Sequence, residues 1–133
     1  MREIVEFLNE NTNGFLATLE GGKPRVRPYQ FMLEDGGKLC FSTNNTKEVC
    51  KQLMADPSME FSASNAKGGW IRLRGEAKFS GESRIKQLIL DGSETVRAIY
   101  KTPDNPMFEV FFLDKGMAQI MDAAGQPIRK IEF

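Results

Sequence analysis

Paired glycines divide much of this sequence into short stretches, and they limit the folds that the chain can adopt. The pairs Gly21-Gly22, Gly36-Gly37 and Gly68-Gly69 each lie between two stretches of alternating apolar and polar residues. Glycine tolerates the positive φ angles of tight turns, so each pair predicts a hairpin between two antiparallel strands. These connections argue against the alternating strands and helices of a doubly wound sheet.

Residue spacing predicts the other elements. We expect helices over residues 2–11, 46–54 and 81–100, the last with a break at Asp91-Gly92. The predicted strands cover residues 15–19, 25–33, 38–42, 59–64, 70–79, 108–113, 116–122 and 127–133. At 133 residues the chain has the length of one domain, so we expect a single domain over residues 1–133. Short turns between many strands favour a mostly antiparallel, closed or half-closed barrel with peripheral helices.

The sequence contains no histidine, which excludes several kinds of chemistry. Ser-His-Asp and Cys-His catalysis, and zinc or haem held by histidine, all need that residue. The two cysteines, Cys40 and Cys50, are too few for a four-cysteine zinc site, and we expect both to be buried and reduced. We therefore predict no metal site.

Charge and hydropathy indicate where the protein works. Eighteen basic and eighteen acidic residues cancel, which gives no reason to expect nucleic acid or an anionic membrane as a partner. The N-terminal residues lack the cationic start and apolar run of a secretory signal, and no apolar stretch approaches the roughly 20 residues that span a bilayer. We expect a cytoplasmic protein.

The stretch from Arg25 to Asp56 carries the strongest indication of a binding site. Its first strand places Arg27 just before Pro28, and the residues from Thr43 to Lys47 lead into a helix. The free N–H groups and the dipole of a helix N-terminus attract anions, and an arginine fork can grip phosphate oxygens. We therefore expect this stretch to hold the phosphate of a nucleotide-like cofactor.

An ordinary surface remains the alternative for the same residues. Arg25 and Arg27 could lie on a solvated strand face, and Thr46 and Lys47 could be a helix cap and its exposed neighbour. A lysine is disfavoured in a first helical turn, however, and a bound anion would remove that conflict. Pro28 cannot donate to a sheet ladder, so it marks an edge strand, a bulge or a close approach of another group.

Several of these stretches together resemble the FMN-binding split-barrel superfamily, typified by pyridoxamine 5′-phosphate oxidase. The resemblance covers nearly the whole chain and depends on the order and spacing of its motifs. It runs through Phe15–Thr18, Pro24–Pro28, Leu39–Thr43, Thr46-Lys47, Asp56-Pro57, Trp70–Ala77 and the C-terminal FEVFFLDKGMAQIMDAAGQP. It implies an antiparallel, Greek-key-like split β-barrel, mostly β with peripheral α-helices.

The resemblance also implies a cofactor and the residues that hold its phosphate. The cofactor is FMN, bound at the interface of a homodimer. By position, Arg27 and Lys47 would hold the phosphate, and the hydroxyls of Thr43 and Thr46 would add hydrogen bonds.

Other matched positions would surround the flavin ring. The backbone of Pro28, Tyr29, Gln30 and Phe31 would run beside the isoalloxazine, along a strand whose ladder is interrupted at the proline. The Gln30 side chain would bond to the polar edge of the ring. Trp70 would reach the flavin from the partner subunit, although core or interface packing explains a lone tryptophan equally well.

As a member, the chain would be a small flavin-dependent oxidoreductase acting on a small-molecule substrate or reductant. The histidine of the arginine–histidine clamp of the pyridoxamine oxidases and the histidine of the nitroimidazole-resistance relatives are both absent, so we do not expect vitamin B6 oxidation and name no catalytic residue. A non-catalytic flavin store, sensor or scavenger is the alternative, as is the same barrel with a deazaflavin or haem.

Overall fold

The computed structural model describes residues 1–133 as two antiparallel β-sheets with four helices around them. The helices are α1 (Arg2–Glu10), α2 (Glu48–Ala55), α3 (Ser83–Gly92) and α4 (Glu94–Tyr100). The strands are β1 (Asn13–Glu20), β2 (Lys23–Gln30), β3 (Leu33–Asp35), β4 (Lys38–Asn44), β5 (Ser58–Ser64), β6 (Trp70–Glu76), β7 (Lys78–Ser80), β8 (Phe108–Leu113), β9 (Met117–Met121) and β10 (Pro127–Glu132). The predicted mostly β fold with peripheral helices is confirmed. None of the helices is long and apolar enough to cross a lipid bilayer.

The two sheets face each other across one aromatic core. Six strands form the larger sheet in the order β10-β9-β6-β5-β1-β2, and the smaller sheet has the order β3-β4-β8-β7. Phe41 of β4 stacks on Phe111 of β8 with ring centroids 5.3 Å apart, and it meets Phe61 of the larger sheet at 5.1 Å. Each sheet keeps two free edges, so the barrel is split and does not close.

The outer face of the smaller sheet is covered by α3 and α4. Strand alternation directs Cys40 away from the aromatic core, where it packs with Ile85 of α3 and Tyr100 of α4 in a second apolar cluster. Both cysteines are buried, as expected. This packing brings α4 close to the end of β4.

Two predicted strands were too long, because each is divided between the two sheets. The predicted strand over residues 25–33 ends at Gln30. The N–H of Phe31 then bonds to Thr12 beside the larger sheet, whereas the N–H of Met32 bonds to Cys40 in the smaller one. The predicted strand over residues 70–79 breaks in the same way at Ala77. A period of two residues continues through such a crossing, so it does not reveal the change of sheet.

Candidate functional site

A cleft of about 150 Å³ opens where β2, the end of β4 and α4 meet. It collects four of the predicted site residues: Tyr29 and Gln30 from β2, Thr43 from β4, and Lys47 from the turn before α2. Ser42 also lines it, and its other wall is largely apolar. That wall is formed by Met32, Val96, Ile99 and Tyr100.

The N-terminus of α2 lies beside the cleft without a side-chain cap. We predicted that this helix begins near Thr46, but it begins at Glu48, and Lys47 is its extended N-cap residue. The reason is Asn44, whose Oδ1 accepts from the N–H of Thr46 at 2.9 Å and from its hydroxyl at 2.8 Å. Such an asparagine turn competes with helix formation. The first N–H groups of α2 therefore have no side-chain partner.

Thr43 has a buried hydroxyl with no hydrogen-bond partner. Its side chain is only 2% exposed, and Oγ1 meets no partner in hydrogen-bond geometry, although it lies close enough to the Tyr29 hydroxyl to oppose the rise in the pKa of that group. Most buried polar groups are paired, and an unpaired one costs roughly 1–3 kcal/mol. Because Thr43 lines the cleft, a ligand with a hydrogen-bonding oxygen would supply the missing partner.

Lys47 adds an uncompensated positive charge to the same end of the cleft. Its side chain is exposed, and it takes part in none of the ion pairs of the chain. Lys47, the uncapped α2 N-terminus and the unpaired Thr43 hydroxyl all favour an anion.

Arg27 does not line the cleft, because its guanidinium is held by three neutral groups. Nη1 donates to the Thr18 hydroxyl at 2.8 Å and to the Leu16 carbonyl at 3.2 Å, and Nη2 donates to Oε1 of Gln52 at 2.6 Å. The Thr18 hydroxyl in turn donates to the same Oε1 at 2.6 Å. We call these three side chains the Thr18–Arg27–Gln52 triangle.

The triangle leaves the charge of Arg27 without a counter-ion. Burial lowers the pKa of the guanidinium, but arginine stays protonated in proteins. No carboxylate pairs with Arg27, whereas Arg25 on the same strand pairs with Glu20 at 3.1 Å on the surface. Arg27 is only partly buried, but charges withdrawn from water are usually paired, so an anion near α2 would stabilise this second cation.

Sequence reasoning missed the partner of Arg27. From the predicted helix we expected Val49, Cys50, Leu53 and Met54 to face inward, but Met54 is 59% exposed and Gln52 is only 6% exposed. The spacing i, i+3, i+4 from Val49 includes Gln52, so the helical period places Gln52 on the inward face. We did not predict it there because glutamine is polar.

Tyr29 joins the two sheets at the wall of the cleft. Its hydroxyl donates to the Ser42 carbonyl, and its ring lies 5.8 Å from Phe111 and 6.3 Å from Phe41. Burial raises the pKa of Tyr29 to about 12. The phenol is therefore protonated at neutral pH, and its proton is already donated within the chain.

The strand that carries Tyr29 is an edge strand, which was one of the three explanations for Pro28. Pro28 lies opposite Phe15 in a continuous register, so the predicted interruption of the ladder is not observed. A proline is tolerated there because β2 has a neighbour on one side only. Gln30 donates to the Thr12 hydroxyl at 3.3 Å, and the Phe31 side chain is buried in the core.

Trp70 lies away from the cleft within one chain. It begins β6, opposite Ser64 and Met121, and β5 and β1 separate that strand from β2. Its side chain is partly buried and shares the outer face of the larger sheet with Arg72. The structure therefore brings four of the nine predicted residues into the cleft, and five lie outside its lining: Arg27, Pro28, Phe31, Thr46 and Trp70.

Comparisons with known proteins give a family and a fold. A family profile described as pyridoxamine 5′-phosphate oxidase matches residues 1–115. No curated protein matches the sequence significantly. Among solved structures, a NimC/NimA family protein from Clostridium acetobutylicum is 36% identical with a TM-score of 0.90, over 100% of this chain and 92% of that chain.

More distant structures share the fold alone. The general stress protein 26 from Bacillus anthracis is 14% identical with a TM-score of 0.81, over 99% of this chain and 97% of that chain. A heme binding protein from Mycobacterium smegmatis is 20% identical with a TM-score of 0.71, over 96% of this chain and 54% of that chain.

Proposed function

We propose, because the chain belongs to the pyridoxamine 5′-phosphate oxidase family, that it binds FMN in the cleft and works as a small flavin-dependent oxidoreductase. One observation carries the proposal. The buried, unpartnered hydroxyl of Thr43 lines a cleft beside Lys47 and the uncapped N-terminus of α2. A phosphate group fits this set of donors, since it offers several acceptor oxygens and negative charge.

The charges of the site suit a phosphomonoester. Lys47 and Arg27 are two cations without carboxylate partners, and a terminal phosphate carries about −1.5 to −2 charges at neutral pH. In the proposed complex Lys47 and the α2 N–H groups bind phosphate oxygens, and Thr43 donates its hydroxyl proton, whereas the Thr46 hydroxyl already donates to Asn44. Arg27 contributes its charge, while three hydrogen bonds to Leu16, Thr18 and Gln52 hold its guanidinium in place.

The rest of the cleft would orient the ring. The edge strand β2 has no neighbour on its outer side, so part of its backbone between Pro28 and Gln30 remains available to a planar ligand. The Gln30 amide is exposed and can bond to a polar ring edge, and Val96 and Ile99 give the opposite wall its apolar surface. When bound, the flavin supplies the hydride and electron transfer.

The proposed active form is a homodimer. On the outer face of the larger sheet, Phe15 is 58% exposed and Val26 is 68% exposed, and they line a shallow depression with Glu60 and Arg72. Large exposed apolar side chains at one place are typical of an interface. A second copy on this face would cover them and would bring its Trp70 closer to the flavin site.

The oligomeric state is tested by sedimentation of the wild type and Val26→Asp. We expect a dimer and a monomer respectively, with weaker FMN binding by the monomer. A monomeric wild type with full FMN affinity would contradict the dimer.

The first experiment is purification followed by absorbance and by titration with FMN and riboflavin. We expect a flavin spectrum and a preference for FMN of roughly a hundredfold or more, since a hydrogen bond to a charged group contributes about 1.5–3 kcal/mol. A protein that gains neither a flavin spectrum nor thermal stability with FMN would rule out the proposal. If added haemin co-elutes with the protein and its absorption spectrum changes on binding, the ligand of the barrel is haem and not FMN.

Turnover is a separate question from binding. We expect the FMN-loaded protein to oxidise a reduced nicotinamide steadily when an electron acceptor is present. Binding without such oxidation, across reductants and acceptors, would favour a flavin store, sensor or scavenger.

A further inference from the structure

We infer that Gln52 is a positioning residue that holds Arg27 as an oriented but unneutralised cation for the phosphate of the ligand. The inference rests on the proposed function, since it concerns how the same site recognises its anion. Gln52 itself does not line the cleft, and it acts through Arg27.

The geometry orients Arg27 closely. Oε1 of Gln52 accepts two hydrogen bonds of 2.6 Å, one from Arg27 and one from Thr18, and Thr18 also accepts from Arg27 at 2.8 Å. Thr18 and Gln52 are 2% and 6% exposed. The triangle therefore ties one position on each of β1, β2 and α2 and fixes the guanidinium one turn from the start of α2.

The chemical identity of Gln52 decides what the triangle does to the charge. A glutamate at this position would hold the same partly buried guanidinium as an ion pair and would compensate its charge. An amide oxygen orients the arginine equally well and leaves its charge uncompensated. The nearest carboxylate along the helix, Glu48, pairs instead with Lys51 at 3.8 Å.

Gln52 is the fifth of the eight residues of α2, so the unneutralised charge lies about one turn from the helix N-terminus, where the dipole also favours an anion. A phosphate bound at that terminus would be attracted by both. Gln52 therefore raises the affinity for a dianionic phosphomonoester such as FMN relative to a neutral flavin such as riboflavin. A triangle that only docked α2 onto the β1–β2 hairpin would affect both flavins equally.

The test compares FMN and riboflavin binding to the wild type, Gln52→Glu and Gln52→Met. Gln52→Glu neutralises Arg27 with a side chain of the same shape, so we expect its Kd for FMN to rise about tenfold or more while its Kd for riboflavin changes less than about twofold. Gln52→Met removes the acceptor without adding charge, and we expect its Kd for FMN to rise about threefold.

A mutant cycle shows whether Gln52 acts through Arg27. In an Arg27→Ala background, we expect Gln52→Met to change the Kd for FMN by less than about 1.5-fold, because the side chain that it positions is absent. If Gln52→Met weakens FMN equally in both backgrounds, or if Gln52→Glu weakens FMN and riboflavin by the same factor, the inference is wrong. If Gln52→Glu does not fold, the methionine variant and the cycle still decide.

Two binding results distinguish the role of Gln52 from the phosphate site as a whole. A wild type that does not prefer FMN to riboflavin contradicts the proposed phosphate site. A wild type that prefers FMN, with a Gln52→Glu variant that keeps the same preference, contradicts only the role of Gln52.

Discussion

The cleft and the Thr18–Arg27–Gln52 triangle each place a cation beside α2, but they differ in what they lack. In the cleft, the Thr43 hydroxyl has no hydrogen bond and Lys47 has no counter-ion. In the triangle, the side chains are hydrogen bonded to one another and only the charge of Arg27 is uncompensated. A binding site can therefore lack a hydrogen-bond partner, as at Thr43, or a counter-ion, as at Arg27, and the two are separate properties.

The two regions should also respond differently to mutation. The triangle connects α2 to the hairpin of β1 and β2, so changes there affect both folding and phosphate binding. The end of the cleft connects nothing, and its unpaired hydroxyl is a cost in the free protein. Changes there should weaken ligand binding while leaving the free energy of unfolding unchanged or raising it.

Arg27→Ala is expected to have the largest effect. Removing the guanidinium takes a charge from the site and leaves Thr18 and Gln52 with fewer partners, so we expect FMN affinity to fall roughly 30- to 100-fold and the free energy of unfolding to fall by about 1–3 kcal/mol. Flavin titration and urea denaturation measure the two effects. Arg25→Ala is the matched control on the same strand, and its surface ion pair should contribute less than about 1 kcal/mol. If Arg27→Ala and Arg25→Ala lose FMN affinity and stability equally, the triangle is no more important than a surface ion pair.

Tyr29→Phe should change how stability depends on pH, because Tyr29 lines the cleft and its hydroxyl is hydrogen bonded within the chain. Below pH 10 the phenol is protonated in the folded and the unfolded chain, so its contribution to stability is fully present. As pH rises from 10 towards 12 the unfolded chain loses this proton first, because the folded pKa is about 12. The wild type should therefore lose about 2–3 kcal/mol more than Tyr29→Phe over this range. Parallel stability curves from denaturation at pH 9 to 12 would contradict the burial of the phenol.

Lys47→Ala should affect binding and leave folding unchanged. The side chain is exposed and unpaired, so we expect FMN affinity to fall about tenfold, riboflavin affinity to stay constant and the free energy of unfolding to change by less than about 0.5 kcal/mol. Added salt should weaken FMN binding less in the variant than in the wild type. The control is Lys51→Ala, one turn further along α2, where the lysine pairs with Glu48. A similar loss from Lys51→Ala would mean that general charge, not position, attracts the phosphate.

Thr43→Val gives the smallest effect, with opposite signs for stability and binding. The variant keeps the shape of the side chain and removes the unpaired hydroxyl, so the free energy of unfolding should stay the same or rise by up to about 1 kcal/mol. FMN affinity should fall roughly fivefold, since one hydrogen bond to the phosphate is lost. Thermal melts with and without FMN measure both. A variant that loses stability without FMN would show that Thr43 has a partner within the chain.

The local sequence was sufficient to predict the glycine turns and the part of the site formed by residues 43–47. Gly21, Gly22, Gly36 and Gly37 all adopt positive φ angles, as the predicted hairpin turns require. The residues from Thr43 to Lys47 are neighbours along the chain, so a strand that ends and a helix that begins place them together without any distant contact. Only the start of the helix differed, because the Asn44 side chain forms a turn first.

The sequence by itself determined the antiparallel strands, their turns and the anion-attracting end of α2, because each depends on residues within a few positions of one another. Tertiary structure decided which sheet each half of a strand joins, that Arg27 meets Gln52 twenty-five positions away, and that Trp70 lies beyond the reach of the cleft. It also decided that the Thr43 hydroxyl is buried without a partner. These outcomes depend on how α2, α4 and the two sheets pack, and a pattern of apolar and polar residues records which side chains face inward but not which groups they meet there.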